Sequence, residues 1–248
     1  MLVSEEQGMT ENPSAINLLY LDSWFAAINK PNGLTVHRSQ ATGNVQHFAL
    51  QLLRDHLGRR VYPVHRLDSK TSGVLLFALD TQTLRLMQEQ FAGQQVDKTY
   101  HAIVRGFAPE ETVIDYPLVN EVGKQQDAVT ELRLLAKAEI DLPYGKFLTS
   151  RYSLVELRPR TGRMHQIRRH LAHINHPVIG DRPHGCNKQN RLFKAQFNTT
   201  EMMLHARSLR FVHPVSGQVV FIKADYQATF RLLLTLLGLG EGKTEITI

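Results

Sequence analysis

The segment with the clearest potential for chemistry is residues 65–73, whose sequence is HRLDSKTSG. This polar segment leads directly into an apolar run at residues 73–79 (GVLLFAL), and a run of that length predicts a strand buried on both faces. Such a strand can hold the Asp68 carboxylate at the edge of a cleft, where it can react with a substrate. The alternative is that Asp68 is a turn aspartate that caps a backbone amide.

A second polar cluster lies at residues 161–170, TGRMHQIRRH. Its pattern predicts a helix over residues 163–174. The buried stripe of this helix is expected to contain Ile167, Leu171 and Ile174. Because helix N-termini bind anions, the polar residues at its start suit phosphate. Arg168 borders the stripe and can reach inward to a carboxylate, whereas Arg169 points more towards solvent. An ordinary solvated basic face is the alternative.

The distribution of charge favours a polyanionic partner. The chain has 29 Lys and Arg residues against 23 Asp and Glu residues, a net charge of +6. Six arginines at residues 151–169 are opposed by Glu156 alone, and Asp181 alone opposes four basic residues at 182–194. Arginine suits phosphate because its planar guanidinium donates two parallel hydrogen bonds. A basic protein without a nucleic-acid role is the alternative.

Several other classes of protein are disfavoured. The single cysteine, Cys186, excludes an intramolecular disulfide and a multi-thiolate zinc site. His170, His173 and His176 lack a carboxylate set such as HExxH, which favours phosphate contacts or solvated surface over a metal. The longest apolar run, residues 232–239, is too short to span a bilayer, and residues 1–14 lack the apolar core of a signal peptide. We therefore expect a cytoplasmic protein with no membrane span and no bound metal.

The predicted elements mix strands and helices without a regular βαβ alternation, which favours an α+β fold with a largely antiparallel sheet. Strands are predicted at 16–20, 24–29, 73–79, 98–106, 128–140 and 149–157, and a hairpin at 203–212 and 219–224. Besides 163–174, helices are predicted at 45–57, 81–93 (capped by Asp80 or Thr81) and 227–237. We expect one domain at 16–238, a flexible leader at 1–15, an exposed loop at 120–127 and a loose tail at 239–248.

Four segments, in this order, resemble the motifs of the RluA-type family of pseudouridine synthases. NKPNGL at 29–34, followed by Val36-His37, resembles the family's NKPxGL motif, and HRLDSKTSG at 65–73 resembles its catalytic motif HRLD-x-x-TSG. KTY at 98–100 matches the place of its active-site tyrosine, and TGRMHQIR at 161–168 resembles TGRxHQ[IL]R. The order and rough spacing agree over most of the chain, from about residue 18 to residue 224.

This resemblance implies a pseudouridine synthase fold, in which helices flank a mixed, mostly antiparallel sheet around a central catalytic cleft. It implies that Asp68 is the essential aspartate, that Tyr100 stacks on the target base and is a candidate for assisting proton removal, and that Arg168 pairs with the catalytic carboxylate. Arg66 is implied to enter the RNA helix in place of the displaced base. Further RNA contacts are expected from Lys30, Arg163, His165 and Arg169. No cofactor is expected, because the isomerisation needs no electron carrier or external reactant.

The expected partner is RNA, and several further segments are most like those of the compact tRNA-modifying members of the family. These segments are YPLV at 116–119, HLAH at 170–173, HPVIGD at 176–181 and QNR at 189–191. The resemblance implies that the target is uridine-65 in the acceptor stem of tRNA. Because about fifteen residues precede the first predicted strand, we expect no separate N-terminal RNA-binding domain, and we expect a monomer with no obligate protein partner.

Other functions stay open at this point. The synthase can instead act on 23S ribosomal RNA or on several RNAs, which mapping of the modified position distinguishes. A non-catalytic RNA-binding protein is a different class of function, and the combination of Asp68, Tyr100 and Arg168 argues against it. A carboxylate hydrolase of glycosidic bonds is disfavoured because no convincing second acid is found.

Overall fold

The computed structural model of the 248-residue chain describes residues 16–37 and 47–240. The predicted leader at 1–15, most of the predicted tail and the start of the helix predicted from residue 45 lie outside these ranges. No helix in the two described ranges is long and apolar enough to cross a membrane.

Twelve strands and five helices make up the fold within the described residues. The strands are Leu18–Leu21 (β1), Phe25–Lys30 (β2), Tyr62–Pro63 (β3), Ser72–Ala78 (β4), Asp97–Arg105 (β5), Glu111–Asp115 (β6), Leu118–Val119 (β7), Gln125–Gln126 (β8), Val129–Ile140 (β9), Ser150–Pro159 (β10), Leu204–Val212 (β11) and Val219–Lys223 (β12). The helices are Ala49–Leu57 (α1), Thr81–Ala92 (α2), Gln166–His173 (α3), Asn187–Phe197 (α4) and Ala228–Leu236 (α5).

Ten of the strands form one mixed sheet. The strand order is β1-β2-β4-β11-β5-β10-β9-β6, with β12 paired to β11 and β3 paired to β4. Neighbours in this sheet are antiparallel except β4 and β11, which run parallel. The predicted α+β fold with a mostly antiparallel sheet is therefore confirmed. β7 and β8 form a separate two-stranded hairpin.

Strand β4 is the rigid support of the segment that precedes it. All seven of its residues are buried, as its continuous apolar sequence predicts. Alternate side chains enter two different apolar clusters, with Val74 and Leu76 in one and Leu75 and Phe77 in the other. Burying an apolar side chain of this size stabilises the fold by about 1.5–3 kcal/mol. The Asp68 segment therefore ends in one of the best-packed parts of the sheet.

The parallel contact between β4 and β11 requires a glycine. Gly73 has a φ of +107°, and a Cβ atom there would lie 2.2 Å from the carbonyl oxygen of Ala206 in β11. A larger residue cannot occupy this position without moving one of the two strands. Ala206 is paired with Gly73 on one side and with Tyr100 of β5 on the other. Strand β11 therefore joins the end of the Asp68 segment to the strand that carries Tyr100.

Several predicted elements are confirmed together with the residues that end them. Helix α1 ends at Gly58, which adopts the left-handed conformation with a φ of 63°. Helix α2 begins after Asp80, whose Oδ1 accepts a hydrogen bond from the Thr83 N–H at 2.7 Å. Strands β11 and β12 form the predicted antiparallel hairpin, and α5 lies within its predicted bounds.

The helix predicted from residue 163 begins at Gln166 instead. The Gln166 side chain closes a turn in front of it, because its Oε1 accepts hydrogen bonds from the Thr161 hydroxyl at 2.7 Å and the Arg163 N–H at 3.0 Å. His165 precedes the helix with a left-handed φ of 54°. Residues 163–165, which were predicted to form the first turn of the helix, therefore form a loop at the rim of the candidate active site described below.

Other differences lie at chain segments with weak sequence patterns. The predicted loop at 120–127 is partly wrong, since β8 pairs with β7 across a turn in which Asn120 Oδ1 accepts hydrogen bonds from two backbone N–H groups. Leu239, at the predicted start of the loose tail, is fully buried with α5 side chains. Strands β3, β6 and β7 and helix α4 are additional elements that the sequence did not predict.

Candidate active site

Asp68 lies in a loop that the chain holds in place through backbone atoms. The Thr71 N–H donates to the Asp68 carbonyl at 2.9 Å, which closes a turn around the residue. The Gly33 N–H donates to the Ser69 carbonyl at 2.9 Å, and Asn32 Nδ2 donates to the Lys70 carbonyl at 2.5 Å. The NKPNGL segment therefore supports the HRLD segment directly.

Lys30, which the sequence analysis expected to contact RNA, is part of this support. Its side chain is fully buried, and Nζ donates to the carbonyls of Pro31, Leu34 and Ser69 at 2.9, 2.8 and 2.8 Å. Burial lowers the pKa of Lys30 to about 7, against the opposing effect of the Asp68 carboxylate. Three carbonyl acceptors match the three donors of an ammonium group, so the charged form satisfies the site and has no donor left for RNA.

Arg168 lies between two carboxylates. Its Nη1 donates to Asp68 Oδ2 at 2.8 Å, while Nε and Nη2 donate to Asp181 Oδ2 and Oδ1 at 2.7 and 2.8 Å. The Arg168 and Asp181 side chains are 7% and 1% exposed, whereas that of Asp68 is 32% exposed. The guanidinium is thus fixed by a buried bidentate pair and presents its remaining edge to the accessible carboxylate.

The pKa shifts of this group agree with its geometry. Burial acts to lower the pKa of Arg168, but the hydrogen bonds and charges of Asp181 and Asp68 outweigh burial and raise it. Burial acts to raise the pKa of Asp181, and the bond and charge of Arg168 reverse this effect and lower it. Arg168 and Asp181 are therefore both charged at neutral pH, and one guanidinium faces two carboxyl groups.

Asp181 is the residue that sequence reasoning missed. Its Oδ1 accepts from the His184 N–H at 3.2 Å, and its carbonyl accepts from Asn190 Nδ2 at 2.7 Å. A Cβ at Gly185 would lie 2.0 Å from the same carbonyl, so glycine alone allows the tight loop. In the sequence, Asp181 could have been noticed because it is the one acidic residue that opposes a basic segment and because it lies between two glycines.

Tyr100 lies on β5, half-buried at the junction of two apolar clusters. Burial, followed by the negative charge of Asp68, raises its pKa. The ring is therefore a neutral phenol at neutral pH. A neutral ring suits stacking on a base, but it is a poor proton acceptor.

His165 and His184 form a pair beside Asp68. His165 Nδ1 and His184 Nε2 lie 2.9 Å apart and share a hydrogen bond. The Nε2 atom of His165 lies 3.9 Å from Asp68 Oδ2. Burial lowers the pKa of both imidazoles, and this outweighs the opposing charges of Asp68 on His165 and Asp181 on His184. Both rings are thus neutral at neutral pH, and the loop brings His165 into the candidate site.

His65, the first residue of the HRLD segment, has a structural position. Its Nε2 accepts a hydrogen bond from the Leu76 N–H at 3.2 Å, and its ring stacks on Phe91 at 5.2 Å between centroids. Burial, and next the charge of Lys98, lowers the pKa of His65 to about 4. A neutral imidazole therefore ties the Asp68 loop to β4.

The other expected RNA-binding residues lie around the site in different environments. Arg66 is exposed, two residues before Asp68. Arg163 Nε donates to the Asp127 carbonyl at 3.0 Å, and Arg169 Nη1 donates to the Val119 carbonyl at 3.0 Å. Arg163 and Arg169 therefore brace the chain around the β7–β8 hairpin. No group of three or more His, Cys, Asp or Glu side chains with metal-ligand geometry occurs among the described residues.

Comparison with known proteins identifies the family of the chain. The family model described as RNA pseudouridylate synthase matches residues 25–173, a range that includes Asp68, Tyr100 and Arg168. The chain belongs to this pseudouridine synthase family. The resemblance in the sequence is thereby confirmed, and the chain is an isomerase.

Two curated relatives of this pseudouridine synthase from Vibrio match it over nearly their whole length. The chain is 44% identical to "tRNA pseudouridine synthase C" of Vibrio parahaemolyticus over 90% of this chain and 95% of that protein. It is 45% identical to the protein of the same name from Vibrio cholerae, over 90% and 96%. Among solved structures, "Human RNA Pseudouridylate Synthase Domain Containing 4" has a TM-score of 0.68 and 27% identity, covering 90% of this chain and 93% of that chain. This structural likeness confirms the pseudouridine synthase fold.

Proposed function

We propose that this synthase converts uridine-65 in the acceptor stem of tRNA to pseudouridine, with Asp68 as the reacting carboxylate. The observation that carries the proposal is the contact between the partly exposed Asp68 Oδ2 and the buried Arg168 guanidinium at 2.8 Å. The name that the Vibrio relatives share, tRNA pseudouridine synthase C, supports tRNA as the substrate.

The geometry suits the bonds that must change. The N1–C1′ bond of uridine breaks, the base turns, and a C5–C1′ bond forms, without any external reactant. A fixed carboxylate can attack C1′ as the nucleophile of a retaining glycosidase does. It can also act as a base at the sugar or add to the pyrimidine ring, and all three routes use the carboxylate of Asp68. In each route Arg168 orients that carboxylate and stabilises its charge.

The bidentate bond to Asp181 gives Arg168 a fixed position for this role. A guanidinium held on two of its nitrogens cannot turn away from Asp68 when a substrate enters. Tyr100, as a neutral ring next to the same carboxylate, is proposed to stack on the target base. This stacking is proposed to keep the detached uracil within hydrogen-bonding and stacking distance of the sugar. An isomerase requires such retention of the base, whereas a hydrolase does not.

The target base must leave the stack of an RNA helix, which costs a few kcal/mol. We propose that the exposed Arg66 enters the helix and takes the place of the displaced base, which offsets part of this cost. Arg163 and Arg169, together with the loop they brace, are proposed to contact the backbone phosphates. Arginine in this position binds through its remaining donors.

The working form proposed here is a monomer in the cytoplasm. A single catalytic domain of residues 16–238 is proposed to bind the tRNA without an obligate protein partner. The net charge of +6 supports a direct contact with a polyanion.

The test is to map pseudouridine in tRNA from cells with and without this protein, and in purified tRNA treated with wild-type or Asp68→Asn protein. We expect pseudouridine at position 65 with the wild type alone, and retained tRNA binding by Asp68→Asn. Asn keeps the size and polarity of the side chain, so lost activity with retained binding identifies the charge as the essential feature. Modification confined to 23S ribosomal RNA would contradict the tRNA assignment, and activity in Asp68→Asn would contradict the role of Asp68.

A further inference from the structure

The site contains one more side chain, the neutral imidazole of His165, which takes no part in the roles proposed above for Asp68, Tyr100 and Arg168. Pseudouridine formation moves one proton, because C5 of the base loses its hydrogen and N1 gains one. A proton acceptor next to the carboxylate that handles C1′ can carry out this transfer. His165 Nε2, at 3.9 Å from Asp68 Oδ2, is at that place.

The other groups around Asp68 are unsuited to accept this proton. Arg168 is charged and donates to two carboxylates. Lys30 uses its donors on three backbone carbonyls. Tyr100 is a protonated phenol, since burial and the charge of Asp68 raise its pKa. Apart from Asp68 itself, His165 is the described side chain at this carboxylate that is neutral and directs a ring nitrogen towards it.

We propose that His165 accepts the C5 proton of the target uridine through Nε2, and that His184 holds its ring in the orientation for this step. The proposal rests on the pseudouridine synthase function given above. It assigns His165 to the chemical step, whereas the sequence predicted an RNA contact.

The step balances once C5 is joined to C1′. At that stage C5 carries both its hydrogen and the sugar, and the ring holds an N1=C6 double bond. His165 Nε2 takes the hydrogen from C5 as a proton, and the electron pair of the C5–H bond forms the C5=C6 double bond. The electron pair of the N1=C6 π bond moves to N1. N1 then takes up one proton, which His165 can return, so the ring ends as pseudouridine and no other reactant is consumed.

The hydrogen bond to His184 gives the ring the required tautomer. When His165 carries its hydrogen on Nδ1 and donates it to His184 Nε2, at 2.9 Å, its Nε2 lone pair faces Asp68 and the substrate. After proton transfer, the negative charges of Asp68 and Asp181 stabilise the imidazolium, while Arg168 and Arg169 oppose it. Because these charges oppose one another, His165 can hold the proton briefly and then return it.

The left-handed backbone at His165 is consistent with a fixed functional position. Its φ of 54° is uncommon outside glycine, and such conformations cluster at active sites. Asn tolerates this conformation well. His165→Asn therefore removes the imidazole while it keeps the backbone preference of the loop.

The test is the rate of pseudouridine formation on tRNA bound to excess enzyme, with ordinary uridine or uridine deuterated at C5 at the target position. His165→Asn is expected to lower the bound-state rate on the order of 100-fold, the contribution of a positioned base, and to show a primary isotope effect at C5. His184→Gln, which can hydrogen-bond to His165 but cannot titrate, is expected to lower the rate less and to show the same isotope effect. His176→Asn is the control, because that imidazole contacts the Arg105 carbonyl instead of Asp68.

The pH dependence of the bound-state rate is a second measurement, and a purely structural role of His165 would not affect it. In the wild type, the bound-state rate is expected to fall as the pH is lowered through the pKa of His165, which burial holds below 6.5. His165→Asn is expected to lose this acid limb.

The possible outcomes separate the inference from the proposed function. A near-wild-type rate without an isotope effect in His165→Asn would overturn the inference. Weaker tRNA binding with an unchanged bound-state rate would also overturn it, because that result describes an RNA contact. If His165→Asn does not fold, His165→Gln takes its place, and a wild-type rate with a retained acid limb in that variant has the same consequence. A wild-type protein that forms no pseudouridine would overturn the proposed function itself.

Discussion

Asp181→Asn should destabilise the protein even though Asn has nearly the same shape. The Asp181 carboxylate accepts two hydrogen bonds from Arg168 at 2.7 and 2.8 Å, in a place where its side chain is 1% exposed. In the variant, an amide nitrogen faces one of the guanidinium N–H groups, so a donor meets a donor. The guanidinium also loses the negative charge that compensates its burial, and Asp68 becomes its remaining carboxylate partner.

The size of the effect follows from this burial. Removing one partner of a buried ion pair costs about 3–5 kcal/mol, and the retained contact with Asp68 places the loss near the lower value. For a domain of this length, each kcal/mol lowers the melting temperature by about 2–4 °C. We therefore expect the Asp181→Asn protein to melt about 6–12 °C below the wild type.

Differential scanning calorimetry of both proteins in the same buffer measures this difference. Asp97→Asn is the matched control, because Asp97 pairs with Arg210 where the two side chains are 71% and 56% exposed, and surface pairs contribute little. We also expect the bound-state rate of pseudouridine formation to fall about 100-fold, since Asp181 no longer holds Arg168 on two of its nitrogens. A melting temperature as little changed as that of Asp97→Asn would refute the reasoning, because it would mean that Arg168 does not depend on Asp181.

Three further predictions concern the fold, its pH dependence and RNA binding. Gly73→Ala should reduce soluble, folded protein in an expression and circular dichroism assay, because the new Cβ meets the Ala206 carbonyl at 2.2 Å, whereas Gly162→Ala, with open space around it, should not. The melting temperature should fall as the pH is lowered from 6.5 to 4, because burial lowers the pKa of His65 to about 4 and the unfolded chain binds a proton that the folded protein excludes. His65→Gln should flatten this pH dependence, and an unchanged slope in the variant would contradict the prediction. Arg66→Ala should weaken tRNA binding and reduce its salt dependence, measured by titration at several salt concentrations, and unaltered affinity would show that Arg66 makes no RNA contact.

Elements with strong local patterns could be predicted from the sequence. The apolar run of β4, the Asp80 cap of α2 and the Gly58 end of α1 depend on neighbouring residues, so a short window contains the information. Helix α4 was missed because its sequence, NKQNRLFKAQF, is dominated by polar residues, and Gln189 and Phe193 are its buried side chains. Its helical state is set by packing against the rest of the fold, which overrides local preference.

The site could be predicted only as far as family resemblance reached. That resemblance singled out Asp68, Tyr100 and Arg168. The structure shows Arg168 in contact with Asp68, and burial followed by the charge of Asp68 raises the pKa of Tyr100. The bond between Arg168 and Asp181 joins residues 13 positions apart on opposite sides of a turn, and no local pattern indicates it. Lys30 looked like a typical RNA-binding lysine because the sequence does not show that three carbonyls surround its ammonium group.

The place of β11 in the sheet sets the order in which the enzyme can become active. Strands β4 and β5 are made early, but β11, which lies between them, begins at Leu204. A nascent chain that has not yet delivered β11 from the ribosome cannot hold the Asp68 loop and Tyr100 against one another. Such late, non-local pairing slows folding, and it makes pseudouridine formation depend on a strand that is synthesised long after β4 and β5.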